Sequence, residues 1–152
     1  ESELYLKAKD LNNIILEIVG KGPYKKNLVE FVKKLNVSTR VKFYQDLSRK
    51  EVLKLSVEAN VFALLSKYEA MPISLAEALA SGTPCIISNI PFLKEWIDNG
   101  NCFGINLPIN IDNLVSLISK VINIQIKRVK LLDWNEVVQR LEGVYGSDQR
   151  CV

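Results

Sequence analysis

The stretch that decides the fold runs from Asn60 to Asn89 and reads NVFALLSKYEAMPISLAEALASGTPCIISN. Every residue of Val61–Leu65 is apolar, which is typical of a parallel β-strand buried on both faces of a sheet. Pro72 suits the first position of a helix, and Gly82 suits the residue just after its end. Cys85–Ser88 then predicts a second strand. The stretch is therefore predicted to be a strand, a loop, a helix and another strand.

The predicted helix is apolar around most of its circumference, so we expect it to be buried. Its polar stripe consists of Ser74, Glu77 and Ser81, which are three and four residues apart. A buried carboxylate is costly unless it is paired, so Glu77 should have a definite partner. Met71, the predicted N-cap, has no side-chain oxygen for the free N–H groups of the first turn. Another group must therefore bind them.

The loop before this helix carries a second carboxylate. In open α/β sheets, ligands bind beyond the carboxyl ends of the strands, where the N-terminus of a helix offers N–H donors to a phosphate. The loop Ser66–Met71 lies at this edge, and Glu69 on the loop would face the same crevice as Glu77. Two acceptors suited to hydroxyl groups thus lie beside donors suited to phosphate. This pattern fits a nucleotide-sugar.

The segment EAMPISLAEALASGTPCI resembles the E-x7-E region of the group 1 retaining glycosyltransferases, which have the two-domain GT-B fold. Glu69 matches the first glutamate of that motif and Glu77 the second. The resemblance implies that Glu69 is the catalytic residue, at the hydroxyls of the donor sugar, and that Glu77 binds the ribose hydroxyls. The loop and helix start would bind the phosphate and sugar, and Ala70 replaces the usual glycine. The donor-binding residues implied here are Ala70, Met71, Pro72, Ile73 and Ser74.

Two more segments match the family less specifically. The turn GKGP after the predicted strand Asn13–Val19 matches its G-x-G-P, which makes Gly20 and Lys21 candidate donor contacts. At the end of the next predicted strand, RVKFY, the resemblance implies contacts to the nucleotide base from Tyr44 and Gln45, although members usually carry glycine at the second position. From the residues alone, such a turn simply connects a strand to a helix and need not bind a ligand. Likewise, a glutamate near a helix start can simply stabilise the helix dipole.

Composition narrows the class of protein. The 152 residues are 48% hydrophobic and 24% charged, which predicts one soluble globular domain. No apolar run approaches the ~18 residues of a membrane span and no signal peptide is visible, which indicates the cytoplasm. Because the chain has no histidine, imidazole catalysis and histidine-ligated metal sites are excluded. Its three scattered cysteines indicate neither a disulfide framework nor a metal site, so we expect no metal and no cofactor.

The partners follow partly from charge and partly from the resemblance. The net charge of +3 is modest and the lysines are spread along helices, so nucleic acid is not expected as a partner. Weak attraction to an anionic surface at the inner face of a membrane stays open. The resemblance implies a nucleotide-sugar donor and a saccharide or lipid-linked acceptor. The acceptor would be bound by an N-terminal domain that this chain lacks.

Strands and helices alternate at a spacing of ~20 residues, which predicts an α/β fold with a doubly wound, Rossmann-like parallel sheet. The opening is predicted as a helix over Glu3–Leu11, capped by Ser2. In the family, this domain begins with a strand whose residues cannot be mapped onto this sequence, so the first strand is expected to be missing. Its place, between Asn13–Val19 and Val61–Leu65, should be closed or filled by another segment or chain. The remaining predicted elements are the strands Arg40–Tyr44 and Cys102–Leu107 and the helices Tyr24–Leu35, Ser48–Ala59, Pro91–Asp98, Asp112–Ile122 and Trp134–Tyr145.

The resemblance as a whole implies that residues 1–152 are the C-terminal, donor-binding half of a GT-B glycosyltransferase. Such an enzyme transfers a sugar with retention of configuration, and the resemblance implies no metal. Without the diphosphate-binding arginine and lysine of the first strand and without the acceptor domain, this chain alone is expected to be inactive. Two alternatives stay open: a nucleotide-sugar epimerase of the same fold, and a noncatalytic nucleotide-binding scaffold.

Overall fold

The structure, a computed structural model, describes residues 3–8, 13–98, 102–126, 129–130 and 135–139. These residues form one six-stranded sheet with helices packed on both of its faces. The strands are β1 (Glu3–Ala8), β2 (Ile14–Val19), β3 (Val41–Tyr44), β4 (Val61–Leu64), β5 (Cys85–Ser88) and β6 (Cys102–Ile105). The helices are α1 (Lys25–Lys34), α2 (Arg49–Glu58), α3 (Ile73–Ser81), α4 (Lys94–Asp98) and α5 (Ile111–Val121).

The strand order across the sheet is β3-β2-β1-β4-β5-β6. The pair β2 and β3 is parallel, as is the set β4, β5 and β6, whereas β1 is antiparallel to both of its neighbours. From β2 the chain crosses outward to one edge, and from β4 it crosses outward to the other. The crossovers therefore change direction at the centre of the sheet. The predicted doubly wound architecture is confirmed, with one central strand reversed.

The central strand corrects the prediction for the opening of the chain. The predicted helix over Glu3–Leu11 is wrong: Glu3–Ala8 is a strand, and residues 9–12 lie outside the described part. Paired on both sides, β1 satisfies backbone groups of β2 and β4 that would otherwise be left without partners. Beyond these ladders, the N–H of Asn60 donates to the carbonyl of Leu6 at 2.8 Å. The expected gap at the centre is thus filled, by this chain's own opening segment.

Two apolar cores lie on opposite faces of the sheet and fix the helices that flank it. One core packs α2, α3 and α4 against β4, β5 and β6, and the other packs α5 against the reverse face of β1, β4, β5 and β6. Every residue of β4 is buried, as its unbroken apolar sequence predicted, and every residue of β5 is buried as well, Ser88 included. In α3, Leu75 and Leu79 are fully buried. The central stretch is therefore the most enclosed part of the fold.

Smaller differences concern the ends of elements. The helix predicted to start at Pro72 begins one residue later, with Pro72 as its N-cap. The helix predicted over Pro91–Asp98 is a 3-10 turn, Pro91–Leu93, followed by α4, and the last strand ends at Ile105 instead of Leu107. Of the helix predicted over Trp134–Tyr145, residues 135–139 are described and are helical, and the rest lies outside the described residues.

Candidate functional site

A crevice of about 440 Å³ opens beyond the carboxyl ends of β2 and β4, on either side of the reversed strand. This is the point where the crossovers change direction, which is the usual ligand position in such sheets. Val19 and Gly20 line it from β2, Leu64 from β4 and Val52 from α2. The loop after β4 and the start of α3 supply Glu69, Met71, Pro72, Ile73, Ser74 and Glu77. The structure therefore brings together seven of the eleven residues predicted from the sequence.

The start of α3 lines this crevice. No side chain among the described residues caps the helix, and its first regular backbone bond runs from the N–H of Ala76 to the carbonyl of Pro72 at 3.2 Å. At the other end, Gly82 adopts a left-handed conformation with φ 81°, and the N–H of Thr83 donates to Ala78 at 3.0 Å. In this first turn Pro72 has no N–H, and the N–H of Ile73 donates to the carbonyl of Met71 at 2.9 Å. The N–H groups of Ser74 and Leu75 are therefore the donors that the uncapped turn presents, together with the positive end of the helix dipole.

Glu77 has the definite partner that its position predicted. Nη2 of Arg49, the first residue of α2, donates to Oε1 of Glu77 at 2.8 Å. The Glu77 side chain is 20% exposed, whereas that of Arg49 is 79% exposed. Among the described residues, no other side chain or backbone group hydrogen-bonds to this carboxylate. Oε2 is therefore available as an acceptor for a bound molecule.

The loop between β4 and α3 places its predicted residues differently. Glu69 is half-buried and lines the crevice, close to the end of β4. Met71 also lines it, although its side chain is 82% exposed. Ala70 is exposed and does not contribute to the lining. Of the loop positions that line the crevice, Glu69 is therefore more buried than Met71.

Gly20 and Lys21 lie at the border of the crevice and a smaller cavity of about 190 Å³. Gly20 lines both, and its φ of 152° is one that other residues seldom adopt. Lys21 lines the smaller cavity, and its ammonium group forms an ion pair with the carboxylate of Asp46. The ammonium is therefore beside the crevice but engaged by a loop residue.

Tyr44 and Gln45 lie outside the lining of the crevice. Oε1 of Gln45 accepts a hydrogen bond from Nζ of Lys25 at 2.7 Å, which ties this side chain to the start of α1. The hydroxyl of Tyr44 donates to Oε1 of Glu17 at 3.1 Å, so it is directed toward the neighbouring strand β2. Both side chains have partners within the protein. A contact from either to a nucleotide base stays a prediction.

Sequence reasoning missed the roles of Glu17 and Arg49. Glu17 is 1% exposed in the middle of β2 and also lies 3.4 Å from Nζ of Lys42. The signal for Glu17 was a carboxylate inside the otherwise apolar run IILEIV, since such a residue needs partners when buried. The signal for Arg49 was a cation at the first position of a helix, where the dipole disfavours it. Neither signal indicates which partner the residue has.

The two described cysteines are buried thiols. Cys85 and Cys102 face each other in the register of β5 and β6, and both are free. The hydrogen bond with the Cys102 thiol, together with burial, raises the pKa of the Cys85 thiol above its ordinary value. Within the described ranges, no group of three acidic, cysteine or histidine side chains is placed to hold a metal ion. In the same part of the chain, no helix has the length and apolar character needed to cross a membrane.

Comparison with known proteins identifies the family. Residues 4–133 match the family described as glycosyl transferases group 1. This chain belongs to the group 1 glycosyltransferases. It is 26% identical over 144 residues to the MMP alpha-(1->4)-mannosyltransferase of Mycolicibacterium hassiacum, covering 87% of this chain and 34% of that protein. It is 28% identical over 155 residues to the UDP-Gal:alpha-D-GlcNAc-diphosphoundecaprenol alpha-1,3-galactosyltransferase of Escherichia coli, covering 88% and 37% respectively.

The fold of this group 1 glycosyltransferase chain is also found in a solved structure. The crystal structure of WaaG, a glycosyltransferase involved in lipopolysaccharide biosynthesis, superposes with a TM-score of 0.61 at 22% identity, covering 72% of this chain and 29% of WaaG. This likeness confirms the Rossmann-like half of a GT-B fold. The chain spans between 21% and 37% of the length of the curated relatives named in this comparison and of others that it matches.

Proposed function

We propose that residues 1–152 are the nucleotide-sugar-binding domain of a group 1 glycosyltransferase. The observation that carries this proposal is the convergence of Glu69, Glu77 and the uncapped start of α3 in one crevice. Carboxylates accept hydrogen bonds from hydroxyl groups, and the N–H groups at a helix start bind phosphate. A nucleoside diphosphate sugar carries both kinds of group. Its ribose and sugar would lie on opposite sides of its phosphates.

Each part of the crevice has a task in this proposal. Glu77 accepts hydrogen bonds from the ribose hydroxyls through Oε2, and Glu69 accepts them from the donor sugar. The backbone of Met71–Ser74 binds the phosphate and the sugar from the start of α3. Ala70 affects only how closely the loop backbone approaches the sugar. Lys21 is a secondary contact to the phosphate, which it can make after releasing Asp46.

The proposed reaction transfers the sugar with retention of configuration. The bond between the anomeric carbon and the diphosphate oxygen breaks, the same carbon bonds to the acceptor oxygen, and the proton of the acceptor hydroxyl passes to the leaving diphosphate. Negative charge grows on the leaving diphosphate, and donors already pointed at it from α3 stabilise that charge. This electrostatic task requires no histidine. In this proposal it also requires no metal ion and no cofactor.

The acceptor is proposed to be a saccharide or a lipid-linked sugar, held by an N-terminal domain. The name of the Escherichia coli relative, which includes a diphosphoundecaprenol-linked sugar, supports the second class. A peripheral contact with the inner face of a membrane is part of this proposal. Its support is local: residues 21–42 contain seven lysine and arginine residues against one glutamate. Such a basic region is attracted to anionic surfaces.

Calorimetric titration of the chain and two variants tests the proposal. Uridine, adenosine and guanosine diphosphates and their glucose conjugates are the probes. Glu77→Gln should weaken the diphosphate and its sugar conjugate alike, by about 1.5–3 kcal/mol, the range for a hydrogen bond to a charged group. Glu69→Gln should weaken only the sugar conjugate, because its partner is the sugar. Glu30→Gln, on the exposed side of α1, is the matched control and should change neither.

Equal losses for diphosphate and conjugate in both site variants would reject the division of roles between the two carboxylates. No loss in either variant would return Glu69 and Glu77 to structural roles. Transfer is followed with radiolabelled donor in a protein that joins this chain to an acceptor domain, where Glu69→Gln should slow transfer because the sugar is no longer oriented. Interconversion of the donor sugar without acceptor would instead favour an epimerase.

A further inference from the structure

We infer that Arg49 is a positioning residue of the nucleotide site, which holds the Glu77 carboxylate in the orientation that receives the ribose. This inference rests on the proposed function and adds a residue from α2 to a site otherwise built by β2, β4 and α3. The observation behind it is the 2.8 Å ion pair between Nη2 of Arg49 and Oε1 of Glu77. The two residues are 28 positions apart in the sequence.

The position of Arg49 in α2 indicates that it does not stabilise this helix. It is the first residue of α2, where the positive end of the helix dipole disfavours a cation. The start of this helix is already capped without it: the N–H of Ser48 donates to Oε2 of Glu51 at 2.7 Å, and the N–H of Glu51 donates to the Ser48 hydroxyl at 3.4 Å. Arg49 is therefore not needed to cap α2. Its contact is with α3.

Both ends of the ion pair are anchored. The capping box fixes the backbone at Arg49, and α2 packs directly against α3. Glu77 lies within the same turn of α3 as the fully buried Leu75 and Leu79, and its carbonyl accepts a hydrogen bond from the Ser81 hydroxyl at 2.9 Å. The contact is a charge-assisted hydrogen bond from one guanidinium nitrogen to one carboxylate oxygen, and such bonds are stronger than neutral ones. The pair can therefore hold the Glu77 side chain in one orientation.

In this orientation the two carboxylate oxygens of Glu77 have different roles. Oε1 is occupied by Arg49, and Oε2 has no partner among the described residues, so it is the oxygen left for the ligand. Arg49 itself does not line the crevice, whereas Glu77 does. Restricting a side chain before binding reduces the entropy that the ligand must otherwise overcome. Arg49 therefore acts on the ribose through Glu77.

The chain offers a matched control on the same helix. Lys54 pairs with Glu58 at 3.8 Å and does not line the crevice, so Lys54→Met removes the same charge from α2 as Arg49→Met. Binding of uridine, adenosine and guanosine diphosphates is measured by calorimetry. Arg49→Met should weaken the tightest of them about two- to fivefold, the effect of losing one exposed ion pair, and Lys54→Met should leave it unchanged. Arg49→Lys should recover part of the loss, since it restores the charge but not the planar geometry.

Two further measurements separate positioning from direct contact. If Arg49 acts through Glu77, Arg49→Met should weaken the nucleoside without phosphates by the same factor as the diphosphate. It should also have no effect when Glu77→Gln is already present. A loss confined to the diphosphates, or one that persists beside Glu77→Gln, would overturn the inference, because Arg49 would then contact the phosphates itself. Unchanged binding in Arg49→Met would overturn it too.

The failure of this inference differs from the failure of the proposed function. If Glu77→Gln weakens nucleotide binding and Arg49→Met does not, the proposed site stands and the positioning role is rejected. If none of the three diphosphates binds to the unmodified chain, both are rejected. Circular dichroism of every variant confirms that each has the helix content of the unmodified chain.

Discussion

The hydroxyl of Tyr44 lies 3.1 Å from Oε1 of Glu17 and donates a hydrogen bond to it across two neighbouring strands. Glu17 is 1% exposed, so this bond gives a partner to one oxygen of a carboxylate that is almost completely removed from water. Nζ of Lys42 lies 3.4 Å from the same oxygen and adds a positive charge. Polar partners thus hold the edge strand β3 to β2, in a region where apolar burial is incomplete.

Removing this hydroxyl is expected to destabilise the fold. Tyr44→Phe should lower the free energy of unfolding by about 1–3 kcal/mol, because one donor to a buried carboxylate is lost. Urea denaturation measures the change. Tyr68→Phe is the control, since that side chain is 85% exposed and should contribute nothing measurable. Equal stability of the two variants would contradict a structural role for the Tyr44 hydroxyl.

The end of α3 gives a second prediction. Gly82→Ala should lower the free energy of unfolding by about 1–2 kcal/mol, because a residue with a Cβ is strained at the left-handed φ of 81°. Gly22→Ala is the control, since a Cβ built there meets no atom within 4 Å. Thermal unfolding of both variants checks the difference. A loss at Gly22 as large as that at Gly82 would show that the left-handed backbone is not the cause.

The capping box of α2 gives a prediction about pH. Hydrogen bonds from the Ser48 hydroxyl and backbone N–H lower the pKa of the Glu51 carboxyl in the folded chain. A carboxyl group whose pKa is lower in the folded state than in the unfolded state stabilises the fold at pH values above the unfolded-state pKa. That stabilisation is lost as the pH falls through the folded-state pKa. Glu51→Gln should therefore reduce stability at neutral pH, and the difference from the unmodified chain should vanish in acid. Urea midpoints measured across this range decide, and a difference independent of pH would contradict the prediction.

The buried thiols give a prediction about reactivity. Because the pKa of the Cys85 thiol is raised by its hydrogen bond with Cys102 and by burial, little reactive thiolate forms at neutral pH. In a Cys151→Ser background, the folded chain should react with a thiol-specific chromogenic reagent far more slowly than the chain in urea. Rapid labelling of the folded chain would show that the sheet opens between β5 and β6.

The part of the fold that was predicted from sequence depends on local patterns. The apolar residues of β4 and β5 predict strands, and Pro72 and Gly82 predict the two ends of α3. Each of these predictions depends only on residues a few positions apart. The crevice residues on the loop and on α3 follow from the same stretch, so they were found together. The helix predicted from Ser48 also follows from a local pattern, since Ser48 is the N-cap of α2 and forms a capping box with Glu51.

The parts that were missed depend on distant residues. The segment LYLKA combines the alternation of a strand with residues that also suit a helix, and the unpaired edges of β2 and β4 decide in favour of the strand. The partner of Glu77 lies 28 residues earlier, on another helix. No local pattern indicates that Arg49 reaches it. Such pairings become visible only when the sheet brings the elements together.

The reversal of β1 determines where the chain enters the sheet. Glu3 pairs with Val19, so the N-terminal end of β1 lies beside the C-terminal end of β2, at the edge of the sheet where the crevice opens. A parallel strand in this position would begin at the opposite edge, far from the crevice. A purification tag joined ahead of Glu3 would therefore start next to the ligand site and could compete with nucleotides for it. Binding experiments on this chain are best made with the tag removed or placed at the other terminus.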